Sequence, residues 1–195
     1  MKIIGVGCGP GMLTEKAADI IREARTIYGS GRAIELVRNR IPKSCVIRSI
    51  QDYRNLSQLP DDCVLLSTGD PMLAGLGYLD GDIIPGISSL QVACARLHIA
   101  LSKIAVIVAH GRGHEKAMQD TIEELRRQKI VFLLADPKFD VEELYRRLGV
   151  MGLSAAIKIA VCENLGYPDE AIRTGDLISA PLPESELYSL VIGQF

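Results

Sequence analysis

The sequence predicts an α/β protein made of two small α/β domains, and three features of its pattern support that class. Short apolar runs rich in Val, Ile and Leu alternate with amphipathic segments, and turn residues follow several of the apolar runs. Such alternation is typical of parallel sheets whose strands are joined by helices. The pattern restarts near Lys103 with no linker, so we expect one domain over residues 1–101 and a second over residues 102–195.

The first half is expected to form a mostly parallel sheet covered by helices. Residues 2–7 are apolar enough for a strand that is buried on both faces. Thr14 is placed to cap the helix that follows, because apolar residues recur there at helical spacing, and Ser88 or Ser89 can cap a later one. The remaining strands of this half are predicted at residues 26–28, 45–48, 63–67 and 83–84, and its helices at 14–24, 33–38 and 89–99.

The second half repeats the alternation of strands and helices. Its apolar runs are again short and bounded by turn residues, and no low-complexity segment or short repeat interrupts them. The strands are predicted at residues 104–109, 130–135, 157–161 and 188–192 and near Ile172, and the helices near 117–127 and at 141–148.

The composition limits the classes of function. Of the 195 residues, 48% are apolar and 24% are charged, which is ordinary for a protein with a sizeable core. The formal net charge of −2 argues against a wide nucleic-acid-binding surface. No run of about 18 uncharged apolar residues is present, so no membrane-spanning helix is expected. Without a signal-peptide pattern we expect a cytoplasmic protein.

The cysteines and histidines do not indicate a metal centre. There are five cysteines, at positions 8, 45, 63, 94 and 162, and no two of them form a CxxC pair. Most are expected to act as small apolar residues. His110 and His114 are close in sequence, but the further ligands that zinc requires do not follow at suitable spacing. We therefore expect no bound metal.

The first apolar run ends in a glycine-rich turn, GVGCGPG at residues 5–11. The dinucleotide pattern G-x-G-x-x-G fails at Pro10, and no acidic residue ends the second strand at Gly29. The Walker pattern also fails, since Met12 follows Gly11. A dinucleotide oxidoreductase is thus disfavoured. The turn is either a tight strand-to-helix connection or a place where the backbone passes close to a bulky ligand.

Two further turns follow buried strands of the same half, STGDP at residues 67–71 and PGISS at residues 85–89. Asp70 is predicted at the carboxyl end of a strand, where open α/β sheets bind their ligands. Its carboxylate can accept hydrogen bonds from a ribose, cap a following helix, or simply start an Asp-Pro turn. Three such turns in one half indicate a ligand site more strongly than any one of them alone.

In their order and spacing, GVGCGPG followed by LT, then STGDPM, then PGISS resemble the tetrapyrrole methylase family. The resemblance covers the whole chain, although the three turns lie in the first half. It implies two α/β domains with S-adenosylmethionine bound in a cleft between them, and methyl transfer to a porphyrin-like macrocycle. The segments AHGRG at residues 109–113 and CENLGYPDE at residues 162–170 are similar to the subgroup that methylates C5 of cobalt-precorrin-7 in anaerobic cobalamin synthesis.

The resemblance also implies roles for individual residues. Those expected to contact S-adenosylmethionine are Pro10, Gly11, Gly69, Asp70, Leu73, Ser88 and Ser89 in the first half and Leu134, Ala135 and Cys162 in the second. His110 and Arg112 are expected to bind substrate carboxylates. Together with His114 and Lys116 they are predicted to crowd one loop, and the alternative is that this basic loop is simply solvated. No catalytic residue is identified, and Glu163 can orient a partner, cap a loop or take a proton.

The expected partners follow from the same resemblance. A tetrapyrrole is the substrate, and dimers of identical subunits are usual in the family. The chain has nothing that corresponds to the decarboxylating domain of the fused methylase of the aerobic pathway, so a separate enzyme would methylate C15 and decarboxylate the side chain. Neither nucleic acid nor a membrane is expected as a partner. A different ring position, another tetrapyrrole, and a non-catalytic cofactor-binding regulatory module stay open as alternatives.

Overall fold

The structure is a computed structural model that describes residues 1–111, 113–150, 152 and 157–195. The chain forms two compact units, Met1–Ser89 and Leu90–Phe195. The boundary expected near residue 101 differs from this division by one helix, and the domain limits stay a prediction. No helix within the described ranges is both long enough and apolar enough to cross a membrane.

Helices and strands alternate along much of both units, but the last three strands follow one another with no α-helix in the described residues between them. The strands in the described residues are β1 (Lys2–Gly5), β2 (Thr26–Gly29), β3 (Val46–Ser49), β4 (Val64–Ser67), β5 (Asp82–Ile84), β6 (Ile104–Ala109), β7 (Ile130–Ala135), β8 (Lys158–Glu163), β9 (Ala171–Asp176) and β10 (Tyr188–Gly193). The α-helices are α1 (Glu15–Glu23), α2 (Gly31–Val37), α3 (Ser89–Leu97), α4 (His114–Arg126) and α5 (Val141–Val150). Short 3-10 helices span Arg38–Arg40, Leu56–Gln58 and Leu101–Lys103.

Strands β1 to β5 form a parallel sheet in the first unit, in the order β3-β2-β4-β1-β5. In β1, the side chains of Ile3 and Ile4 alternate between the two faces of the sheet, and both are 0% exposed. Ile4 packs with α1 and α2 on one face, and Ile3 packs with Leu56 and Leu65 on the other. The parallel sheet predicted for this half is confirmed, with β1 buried on both faces as parallel strands usually are.

Hydroxyl side chains cap the helices that cover this sheet. Oγ1 of Thr14 accepts a hydrogen bond from the N–H of Ala17 at 3.2 Å, so the predicted cap of α1 is confirmed. Ala17 and Ile21 lie one turn apart and are fully buried against the sheet. Ser30 caps α2 in the same way, through the N–H of Ala33 at 3.1 Å. Each cap contributes about 1 kcal/mol to stability.

The strand connections place a switch point between β1 and β4. From β1 the chain crosses β4 to reach β2, and from β4 it crosses β1 in the opposite direction to reach β5. Ligands bind outside the carboxyl ends of parallel strands at a point where neighbouring strands send their connections in opposite directions. The three turns noted in the sequence follow β1, β4 and β5, and they therefore lie at this edge.

Strands β6 to β10 form a mixed sheet in the second unit, in the order β6-β7-β10-β8-β9. β6 and β7 are parallel, whereas β10 is antiparallel to both β7 and β8, and β9 is antiparallel to β8. The sequence predicted these strands but not their directions. Because β7 and β8 both run against β10, the carboxyl ends of β6, β7 and β8 share one edge of the sheet.

Helices α4 and α5 cover one face of this second sheet. Leu144 and Leu148 of α5 are fully buried there with Leu133 of β7. Thr121 of α4 is also fully buried, and its hydroxyl donates to the carbonyl oxygen of Ala117 at 2.7 Å. Its hydroxyl therefore keeps a partner inside an otherwise apolar core.

Candidate functional site

Backbone hydrogen bonds join the three turns at the carboxyl edge of the first sheet. Gly7 and Gly69 exchange two of them, from Gly7 N to Gly69 O at 3.2 Å and from Gly69 N to Gly7 O at 2.8 Å. The N–H of Cys8 donates to the carbonyl oxygen of Ile87 at 2.9 Å, which ties the first turn to the third. The three segments therefore form one continuous site at the switch point.

Three glycines let these turns pack backbone against backbone. A Cβ on Gly5 would lie 2.5 Å from the nitrogen of Gly86, and a Cβ on Gly86 would lie 2.3 Å from the carbonyl oxygen of Gly69. Both distances are far shorter than van der Waals contact, and the opposing backbone atoms cannot rotate away. Close packing therefore requires glycine at positions 5 and 86.

The carboxylate of Asp70 bridges the second and third turns. Oδ1 accepts a hydrogen bond from the N–H of Met72 at 2.8 Å, and Oδ2 accepts one from the N–H of Gly86 at 3.0 Å. No helix begins between this turn and β5, so the helix-capping role considered for Asp70 is wrong. Each carboxylate oxygen keeps a further lone pair. Asp70 can thus fix the turns and still accept a hydrogen bond from a ligand.

The other first-half residues expected at the cofactor surround these turns. Pro10 and Gly11 are exposed, Gly11 has a φ of +77°, and no atom lies within 4 Å of its Cβ position. Leu73 is half-buried in the second turn, and Ser88 is buried directly before α3, which begins at Ser89. An open backbone face beside a carboxylate with spare acceptor capacity suits a bulky ligand with hydroxyl groups, such as an adenosyl group.

Arg32 also reaches this edge of the sheet, although no motif in the sequence singled it out. It is the second residue of α2, directly after β2, and its Nη2 donates to Oγ1 of Thr68 at 3.1 Å. Thr68 belongs to the turn after β4, and β4 is the neighbour of β2. The only signal in the sequence is an arginine just beyond the turn that ends the second strand. The contact itself depends on strand pairing, which the sequence leaves open.

In the second unit, the basic stretch after β6 divides into two parts. His110 is exposed and follows β6 directly, and Arg112 lies outside the described residues. His114 and Lys116 lie on the first turn of α4 rather than in a loop, so the predicted crowding of these two residues in a basic loop is wrong. Lys116 pairs with Asp120 one helical turn later, at 2.6 Å, so its charge is already matched.

His114 contacts Asp136, which directly follows β7. Nε2 of His114 lies 3.0 Å from Oδ2 of Asp136, and the same oxygen accepts the N–H of Gly111 at 2.7 Å. Burial acts to raise the pKa of Asp136, but these two hydrogen bonds and one from the N–H of Lys138 outweigh it and lower the pKa to about 2. Asp136 is therefore ionised at neutral pH and holds together the segments after β6 and β7.

Glu163 anchors the loop before β10. It ends β8 with a side chain that is 4% exposed, and its Oε2 lies 2.8 Å from the guanidinium of Arg173 on β9. Its Oε1 accepts the N–H groups of Glu184 and Ser185, both at 2.6 Å. Of the roles considered for Glu163, this arrangement favours holding a loop over proton transfer.

The rest of the CENLGYPDE segment forms a turn with hydrogen bonds between its own residues. Nδ2 of Asn164 donates to Oδ2 of Asp169 at 2.8 Å, and Asn164 itself has a φ of +49°. Oε2 of Glu170 accepts the N–H of Gly166 at 2.7 Å, while Oε1 pairs with Arg96 of α3 at 2.5 Å. The segment therefore forms a turn between β8 and β9 that has internal hydrogen bonds and an ion pair with α3.

The second-half residues expected to contact the cofactor lie at one edge of the second sheet. Leu134 and Ala135 end β7, and Cys162 comes one residue before the end of β8. The side chain of Cys162 is 1% exposed. Burial, with smaller effects from the nearby Glu170 and other acidic groups, raises its pKa to about 12, so it stays a thiol. Cofactor contacts of these residues stay a prediction.

Comparison with known proteins agrees with the architecture of both units. A family profile described as Tetrapyrrole (Corrin/Porphyrin) Methylases matches residues 2–181. A Methanocaldococcus jannaschii protein named "Probable cobalt-precorrin-7 C(5)-methyltransferase" is 33% identical in an alignment 191 residues long that covers 88% of this chain and 88% of the relative. A Sinorhizobium protein named as a decarboxylating precorrin-6Y C(5,15)-methyltransferase is 29% identical over 57% of this chain and 30% of its own length.

A solved structure is similar over the full length of the chain. The crystal structure of the cobalamin-biosynthesis precorrin-6Y methylase from Archaeoglobus fulgidus matches with a TM-score of 0.73 and 29% identity, covering 100% of this chain and 97% of that one. The expected pair of α/β domains is thereby confirmed as the fold. With a family profile over most of the chain and a relative above 30% identity along nearly all of it, the chain belongs to the tetrapyrrole (corrin/porphyrin) methylase family.

Proposed function

We propose that this protein is an S-adenosylmethionine-dependent methyltransferase that methylates C5 of cobalt-precorrin-7 in anaerobic cobalamin biosynthesis. The observation that carries the proposal is the match to the M. jannaschii relative, which bears the name of this activity and aligns over 88% of both chains. The A. fulgidus precorrin-6Y methylase, similar along the whole chain, supports the same type of reaction.

The joined turns of the first unit are proposed to hold S-adenosylmethionine. When bound, this cofactor supplies a methyl group already activated on a sulfonium, so the transfer needs no covalent enzyme intermediate. Pro10 and Gly11 offer an open backbone face, and Asp70 offers its remaining lone pairs to hydroxyl groups. The other proposed contacts are Gly69, Leu73, Ser88 and Ser89 and, from the family resemblance, Leu134, Ala135 and Cys162.

Rigid placement of the cofactor is the main contribution proposed for these residues. Holding two reactants in a productive arrangement can lower a barrier by about 7–11 kcal/mol. The contacts among Gly5, Gly69 and Gly86 and the bridging carboxylate of Asp70 leave the turns little freedom. A metal ion is not part of the proposal, and within the described residues no group of three His, Cys, Asp or Glu side chains is suited to hold one.

The proposal also covers the substrate contacts and the partners of the enzyme. His110 and Arg112, which follow β6 in the sequence, are proposed to bind carboxylates of the tetrapyrrole. The Sinorhizobium relative is named for methylation at C5 and C15 with decarboxylation, and this chain matches 30% of its length. A separate decarboxylating C15-methylase is therefore proposed as the partner enzyme. A homodimer and a cytoplasmic location complete the proposal.

Calorimetric titration with S-adenosylhomocysteine tests the cofactor part, with NAD and ATP as control ligands. We expect micromolar binding of S-adenosylhomocysteine alone. Asp70→Ala removes the bridge between Met72 and Gly86 and should weaken binding at least about tenfold. The matched control is Asp80→Ala, an exposed Asp further along the same connection, which should bind as the wild type does. Selective binding of NAD or ATP would refute the cofactor assignment.

A further inference from the structure

Arg32 places a cationic group at the carboxyl edge of the first sheet. It follows the end of β2, and its guanidinium reaches across to the turn after β4, where Nη2 lies 3.1 Å from Oγ1 of Thr68. That turn is one of the two that flank the switch point. The guanidinium therefore lies beside the site proposed for the cofactor, on the side towards β2.

The charge of Arg32 is unmatched in the described residues. Several other arginines have an acidic neighbour, such as Arg22 with Asp19 and Arg38 with Glu35, but no ion pair of Arg32 is found in the described part of the chain. The nearby Asp70 does not serve as a counterion, because its oxygens accept from backbone N–H groups instead. Thr68 is neutral and occupies only part of the donor capacity of the guanidinium.

An exposed arginine fixed by a hydroxyl group contributes little to stability. Ordering a long side chain costs conformational entropy, and one exposed hydrogen bond to a neutral acceptor returns little of it. The arrangement does hold a guanidinium with spare N–H donors at this edge of the sheet, and such a planar group can bind a carboxylate through two parallel hydrogen bonds.

We propose that Arg32 binds a side-chain carboxylate of the tetrapyrrole substrate, and that Thr68 is a positioning residue that orients its guanidinium. This inference rests on the proposed function, because a precorrin carries several carboxylates and needs cations to hold them. Arg32 lies in the first unit, whereas His110 and Arg112 follow β6 in the second. Arg32 therefore adds a specificity-determining contact that the sequence motifs did not indicate.

Steady-state methylation of cobalt-precorrin-7 at saturating S-adenosylmethionine tests the role of Arg32. Arg32→Met should raise KM for the tetrapyrrole about tenfold, with kcat changed far less, since a hydrogen-bonded ion pair to the substrate is lost. Calorimetric affinity for S-adenosylhomocysteine should stay at the wild-type value. Arg25→Met is the matched control, because it removes an exposed arginine at the opposite end of β2 and should leave KM unchanged.

The positioning role of Thr68 is tested with a pair of near-isosteric variants. Thr68→Val removes the hydroxyl and should raise KM for the tetrapyrrole about threefold. Thr68→Ser keeps the hydroxyl and should have the wild-type KM. A purely structural role of Thr68 would shift the melting temperature of Thr68→Val instead of KM.

Three outcomes would overturn the inference. A wild-type KM in an active Arg32→Met enzyme would show that Arg32 does not touch the substrate. If Arg32→Met weakened S-adenosylhomocysteine binding as much as it raised KM for the tetrapyrrole, Arg32 would act at the cofactor instead. If the wild-type enzyme binds S-adenosylhomocysteine but does not methylate cobalt-precorrin-7, the proposed function fails first, and the inference about Arg32 fails with it.

Discussion

Single backbone atoms decide how closely the turns at the candidate cofactor site approach each other. The sequence pointed to the glycine-rich turns but not to the reason for individual glycines. Gly86 is needed because the carbonyl oxygen of Gly69 occupies the place where a Cβ would lie. That contact joins two segments through the pairing of β4, β1 and β5, so it follows from the tertiary structure and leaves no local signal.

Gly86→Ala tests this close packing. The added Cβ would lie 2.3 Å from the carbonyl oxygen of Gly69, so the two turns must separate. We expect the free energy of unfolding to fall by about 2 kcal/mol or more, and S-adenosylhomocysteine affinity to fall with it. Urea denaturation and calorimetry measure the two effects.

Gly31→Ala is the control for that substitution, because no atom lies within 4 Å of its Cβ position. It should change the free energy of unfolding by less than about 1 kcal/mol in either direction. Equal effects of the two substitutions would contradict the packing explanation.

Asp70 is a second residue whose contacts could be predicted from the sequence only in part. Its position at the end of a buried strand was predictable, and so was a role in a turn. Its bond to the N–H of Gly86, sixteen residues later, was not, because it depends on β5 lying two strands away from β4. A hydrogen bond between distant segments has no periodic signature in the chain.

Secondary-structure elements were more predictable than their pairing. The first sheet was expected to be parallel because its apolar runs alternate with helices, and the pairing confirms this. The antiparallel insertion of β10 between β7 and β8 was not expected. A short apolar run indicates a buried strand but carries no direction, and the position of a strand in a sheet depends on distant partners.

The end of β8 is held by a buried ion pair whose loss should be measurable. Glu163→Gln removes the charge that faces Arg173 while keeping an oxygen for the N–H groups of Glu184 and Ser185. We expect a loss of about 2 kcal/mol in the free energy of unfolding. This is less than for a fully buried pair, since the side chain of Arg173 is 33% exposed.

Glu184→Gln is the matched control, because Glu184 pairs with the same arginine through a side chain that is 78% exposed. Its loss should cost less than about 0.5 kcal/mol. If urea denaturation shows the two variants to be equally stable, the ion pair between Glu163 and Arg173 does not stabilise the end of β8.

At the scale of the whole molecule, overall charge does not explain how a polycarboxylate would be attracted. The chain has 22 basic and 24 acidic residues, a formal net charge of −2, so there is no long-range field that favours an anion. The proposal therefore depends on local contacts, from Arg32 and from His110 and Arg112.

The family could be identified from the sequence because the three turns occur in a recognisable order, whereas the contact between Arg32 and Thr68 could not be predicted. Glycine-rich turns serve the backbone geometry of the fold and therefore appear as short motifs. Arg32 is a single residue, and its meaning depends on Thr68, thirty-six positions away. Side chains that recognise a substrate need only the right position in space, so they are scattered along the chain.

The most direct test of the account is to follow the methyl group itself. The purified enzyme is incubated with cobalt-precorrin-7 and S-adenosylmethionine labelled with carbon-13 in the methyl group, and the product is examined by carbon-13 NMR. The account predicts one new labelled methyl group, bonded to C5, with an equimolar amount of S-adenosylhomocysteine. A label on any other ring carbon, or no labelled product from an enzyme that binds S-adenosylhomocysteine, would contradict it.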